Sequence, residues 1–158
     1  MTIAEVPLED LGTKEEVLTE DHYPASFYQT RIGLSVWDDF LRSRIAKKAK
    51  PTKKGAKFNL KAARLKQDLR DEQVEAALGA DHHFDETVVC AVVAALIAKQ
   101  PNGEDGRLLN NRCANLFYTS SFVMFVFWSS LGRYWQVRAC RRGVNSWRAG
   151  RQVFSPAT

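Results

Sequence analysis

The chain has 158 residues, 45% of them hydrophobic, which suits one domain with a real core and excludes a mostly disordered chain. Nine Gly, five Pro and three Cys exclude collagen-like material and a disulfide framework, and point to a reducing intracellular compartment. The net charge of +5 conceals strong blocks: −6 over residues 1–30, +10 over 31–66, −7 over 67–106 and +8 over 107–158.

Residues 1–23 read as an acidic, irregular N-terminal arm, interrupted by Pro7 and Gly12 and lacking the basic-then-apolar order of a signal peptide. Residues 24–158 read as a helical domain with a basic loop near 50–58. Ser26 and Gln29 make a capping-box pattern behind Pro24. Leu34, Trp37, Phe40, Leu41 and Ile45 then recur at helical steps, with Asp38 and Arg42 at i,i+4. Pro51 ends that helix, and residues 50–58 (KPTKKGAKF) read as a linker or mobile loop.

Asn59 caps a predicted second helix that Gly79 closes, with a slip near Arg70 and Asp71 that leaves room for two shorter helices. Asp85 caps a third, Glu86 to Gln100, which is apolar on nearly every side and therefore central in the core. Its β-branched residues keep a buried strand open as the other reading. After the QPNGEDG turn the chain reads as helical from Arg107 to at least Leu131, with Gly132 and Gly143 as break or packing points. No alternating strand pattern with hairpin turns stands out. The predicted fold class is all-α, a compact bundle of about four to six helices.

The uncharged run Ala114 to Gly132 is long enough to raise a membrane span. Asn115, Thr119, Ser120, Ser121, Ser129 and Ser130 dilute it, so a core helix is the better reading.

Two basic blocks carry the functional signal. Lys47, Lys48, Lys50, Lys53, Lys54, Lys57, Lys61, Arg64 and Lys66 fall within twenty residues that contain no acid. Flexible ammonium groups bind a polyanion without demanding geometry, so phosphate contact is favoured over a merely solvated linker. In the second block, a helix continuing through Gly143 would put Arg138, Arg141, Arg142 and Arg148 on one face, with Arg133 before them. Arginine binds phosphate through several planar donors, and Tyr134, Trp135 and Trp147 would offer stacking faces. The competing reading buries the aromatics and pairs the arginines with the acidic 67–106 block.

His82, His83, Asp85 and Glu86 (DHHFDE) have a metal-ligand look. Adjacent histidines on a loop rarely aim at one ion, though, and no HExxH or zinc-spaced Cys accompanies them. They read as a helix N-cap segment. Cys90, Cys113 and Cys140 read as small buried hydrophobes, and no P-loop, GxGxxG or GxSxG occurs. No catalytic residue, cofactor or metal is predicted, and the chain is not expected to be an enzyme.

The expected function is that of a non-catalytic nucleic-acid-binding structural subunit, with RNA or single-stranded DNA and other protein subunits as partners. In size, helicity and paired basic blocks, Ser26 to Phe154 resembles the helical small subunits of CRISPR ribonucleoprotein effectors. That resemblance implies several copies, an RNA–protein partner, antiviral defence and a bacterial cytoplasm. Two other classes remain: a phage- or plasmid-type interaction protein whose charges engage a protein's nucleic-acid groove, and a single-span membrane protein using Ala114 to Gly132.

Overall fold

Residues 6–30, 33–36 and 45–157, those that the computed structural model describes, are organised around a seven-stranded mixed sheet and not a helical bundle. The strands are β1 (Leu8–Val17), β2 (Leu34–Val36), β3 (Lys57–Leu65), β5 (Asn115–Tyr118), β6 (Phe122–Ser129), β7 (Tyr134–Arg141) and β9 (Gln152–Pro156). Their spatial order is β1-β3-β9-β5-β6-β7-β2, parallel at β9–β5 and β7–β2 and antiparallel elsewhere. A small ribbon pairs β4 (Leu69–Arg70) with β8 (Ser146–Trp147). The helices are α1 (Pro24–Thr30), the single turn α2 (Ala46–Lys48), α3 (Asp71–Leu78) and α4 (Val89–Ala98). The all-α expectation is overturned: this is an α/β fold.

Side-chain alternation explains the two layers. Phe122, Met124, Val126 and Trp128 of β6 face α1 and α4, together with Trp135, Val137 and Ala139 of β7. Val123 and Phe125 face the opposite way, toward Val74 of α3, Leu69 and Trp147. Helix α4 is buried from Val89 to Ile97, as its all-round apolar character requires. It matches the predicted third helix, trimmed at both ends. Gly79 closes α3 as expected, with its N–H on the Glu75 carbonyl, and α3 begins where the pattern slipped.

Elsewhere the helical reading fails. Asn59 does not cap a helix, since Lys57–Leu65 is strand β3. Ala114 to Gly132 forms the β5–β6 hairpin, and among the described residues no helix is long and apolar enough to cross a membrane. Leu34 lies in strand β2, whereas Trp37, Asp38, Phe40, Leu41 and Arg42 of the predicted stripe lie outside the described residues.

The acidic arm is also corrected. Residues Leu8–Val17 form the edge strand β1, paired with the basic strand β3 so that Glu9 stands opposite Arg64. A bulge between Asp10 and Thr13, with Gly12 at φ +91°, and a row of exposed charges blunt this edge against further pairing. Glu16 is buried and takes Lys99 Nζ at 2.5 Å and Arg107 at 3.3 Å, which fastens the strand to the end of α4.

Candidate nucleic-acid interface

The lysine block begins on α2 and runs into β3. Lys47, Lys48, Lys50, Lys53, Lys54, Lys57 and Lys61 are all exposed, and among the described residues none of them forms an ion pair. Residues 50–56 form a loop whose backbone is hydrogen-bonded to the rest of the fold, and residues 57–58 belong to β3. Lys50 N–H donates to Thr87 O at 2.9 Å, and Thr52 exchanges two hydrogen bonds with His22 at 2.7 and 2.9 Å. Lys54 N–H donates to Asp21 Oδ1 at 2.9 Å, and Gly55 N–H donates to Leu18 O at 2.7 Å. The lysines therefore project from two places, from α2 and the hydrogen-bonded loop that follows it and from the exposed side of β3. Lys57 and Lys61 stand on one side of β3, two alternations apart with Asn59 between them. Arg64 is half-buried, with its Nε in the interior and without a partner among the described residues.

The arginines are arranged differently from the predicted helix face. Arg133 to Arg141 is a turn and strand β7, so Arg138 and Arg141 point to opposite faces. Arg133, in the turn before β7 at φ +59°, and Arg141, the last residue of β7, are both exposed at opposite ends of that strand. Arg138 is half-buried over the Phe127 ring at 5.8 Å. Arg142 is committed to Glu75, with NH2 on Oε1 at 3.1 Å and Nε on Oε2 at 3.3 Å, and it also donates to Ser120 O at 2.6 Å. Arg148 is exposed. Of the proposed stacking faces, Trp135 is core, donating its indole N–H to Gln100 O at 2.8 Å. Trp147 and Tyr134 are half-buried.

Two polar clusters fix the loop that carries Arg142. The buried Asp71 carboxylate accepts Tyr118 Oη and Trp147 Nε1 on one oxygen, both at 2.7 Å. Its other oxygen accepts the Gly143 and Asn145 backbone N–H groups at 2.8 and 3.0 Å and Asn145 Nδ2 at 2.7 Å. Burial, followed by the bond to Asp71, pushes the Tyr118 hydroxyl well above its ordinary pKa.

The second cluster gathers around Glu75, a residue the sequence reading passed over. His82 Nε2 and His83 Nε2 lie 2.9 and 2.7 Å from Glu75 Oε1, and His82 Nδ1 donates to Gly79 O at 2.6 Å. The adjacent histidines thus converge on one point, although the segment also leads into α4, where Asp85 Oδ1 accepts the Thr87 N–H at 2.7 Å. Gly79 at φ +82° and Asp81 at φ +60° turn the chain back toward α3, which is the signal that spacing alone did not reveal. Burial alone would raise the Glu75 carboxyl; the two imidazoles and the Arg142 guanidinium outweigh it and hold it below the usual value. Cys90 is buried, with its thiol pushed up to about 12 by burial, and Cys113 and Cys140 are half-buried thiols outside any disulfide.

The resemblance to CRISPR small subunits rested partly on helicity, which the sheet removes as an argument. No family model matches the chain, and neither a curated protein nor a solved structure matches it.

Proposed function

We propose that this protein binds nucleic acid non-catalytically through the lysine strip 47–61, gripping the phosphate backbone without reading sequence. The carrying observation is the seven exposed lysines on a hydrogen-bonded backbone, none of them ion-paired among the described residues. Point charges on flexible stems suit a polyanion. The arginines contribute less than their number implies, because Arg142 is spent on Glu75 and Arg138 is half-buried. An RNA or single-stranded DNA within a larger assembly is the partner class this reading names.

Replacing Lys53, Lys54 and Lys57 together with Ala tests it by fluorescence anisotropy on a mixed-sequence single strand. Each lost phosphate contact should flatten the log–log salt dependence by roughly 0.7, and affinity should fall alike for unrelated sequences. Unchanged affinity and slope in the triple variant would reject the strip as the interface.

A further inference from the structure

We propose that Glu75, His82 and His83 form a binding site for a divalent transition-metal ion of the Zn2+ class. One donor atom from each of the three lies within 4.8 Å of the others, and both Nε2 nitrogens contact Glu75 Oε1. A tetrahedral ion with metal–ligand bonds near 2.1 Å needs donor separations of about 3.3 Å, which the contacts of 2.7 and 2.9 Å approach with a small opening. Two imidazoles and one carboxylate are a donor set that such ions take, with a further position left for water.

The tautomer of His82 supplies the second argument. Gly79 O can only accept, so the 2.6 Å contact puts the single proton of a neutral ring on Nδ1. Nε2 and Glu75 Oε1, 2.9 Å apart, then need a positive charge between them, and a metal ion can stand there in place of a second ring proton. An imidazole whose other ring nitrogen donates to a backbone carbonyl is also the usual arrangement of a metal-bound histidine. Arg142 holds both carboxylate oxygens and so fixes the orientation of the ligand. Its positive charge opposes the ion, which places the site among exchangeable centres and not among tightly closed ones. His83 is a third exposed in its side chain, and His82 lines a cavity of about 350 Å³ with Thr13, Lys61 and Ser155, so solvent has a path to the ligands.

Titration of the full chain with Co2+ at neutral pH, followed by visible absorption, tests the proposal without involving nucleic acid. One equivalent should produce the intense visible bands of a four- or five-coordinate N,O site, and Zn2+ should abolish them by competition. His83→Ala removes one ligand and leaves the Gly79 contact of His82 in place, so the variant should fold. It should weaken Co2+ binding by at least roughly tenfold. Zn2+ should raise the thermal midpoint of the wild type and not that of His83→Ala. A spectrum that stays that of hydrated Co2+, or equal binding by His83→Ala, would overturn the proposal. A thiolate-to-metal charge-transfer band would also overturn it, because it would place the ion at Cys113 or Cys140.

Discussion

Asp71→Ala should lower the free energy of unfolding by about 4 kcal/mol, a large share of the roughly 5–15 kcal/mol that holds a domain together. The carboxylate accepts five hydrogen bonds in a site that is 1% exposed. Removing it strands the Tyr118 hydroxyl, which is fully buried, and the Trp147 indole N–H, each costing about 1–3 kcal/mol when left unpaired. The N–H groups of Gly143 and Asn145 lose their acceptor as well, so the loop bearing Arg142 keeps only its Arg142–Glu75 pair and the Asp71 N–H to Asn145 O bond to α3. Asp71→Asn keeps the volume but sets an amide NH2 against donors, and it should fall between Ala and wild type. Denaturant unfolding of both variants measures this. A midpoint unchanged in Asp71→Ala would mean that the loop is held by something other than this carboxylate.

Acid should destabilise the protein by about 2–3 kcal/mol between pH 6.5 and 4, and His22 should account for the loss. Its ring is 2% exposed, both nitrogens lack a partner among the described residues, and Phe27 and Tyr28 stand edge-on at 5.2 and 5.9 Å. Burial lowers its pKa from 6.5 to about 4, with Glu20 opposing weakly. Above pH 6.5 the ring is neutral in both states and contributes no pH dependence. As pH falls below 6.5 the unfolded chain takes up a proton that the folded ring refuses until about pH 4, so stability drops through that window. His22→Phe should remove the slope there while leaving stability near pH 7 close to wild type. Stability of the wild type that stays constant from pH 6.5 to 4 would contradict this account of the site.

What the sequence revealed depended on how many faces each element buries. Helix α4 was legible because ten apolar residues lie between a turn residue, Asp85, and Pro101, with helix signals at both ends. Strand β6 was not, because FVMFVFWS is covered by α4 on one face and by the α3 layer on the other for part of its length. Burial on both sides erases the period of two. Strand β1 hid for the opposite reason: as an edge strand it exposes most of its charged residues, and composition then imitates an irregular arm. In β3, Leu60 and Ala62 on the core side do alternate with Lys57, Asn59 and Lys61, and the capping potential of Asn59 outweighed that pattern wrongly. The lysine block was visible because like charges in a row need no partner to be noticed. Glu75 was invisible, since its link to His82 and His83 passes through a backbone reversal that matches no fixed spacing.

Lysine reactivity measured with and without a mixed-sequence single strand tests the central claim most directly. Acetylation at limiting reagent, read by mass spectrometry, reports each ammonium separately. Lys47, Lys48, Lys50, Lys53, Lys54, Lys57 and Lys61, all exposed and outside ion pairs among the described residues, should be protected by the oligonucleotide. Lys99, bound to Glu16 at 2.5 Å, should react equally in both conditions. Protection across the strip with none at Lys99 is the predicted result; unchanged reactivity of the strip at saturating oligonucleotide would contradict the account.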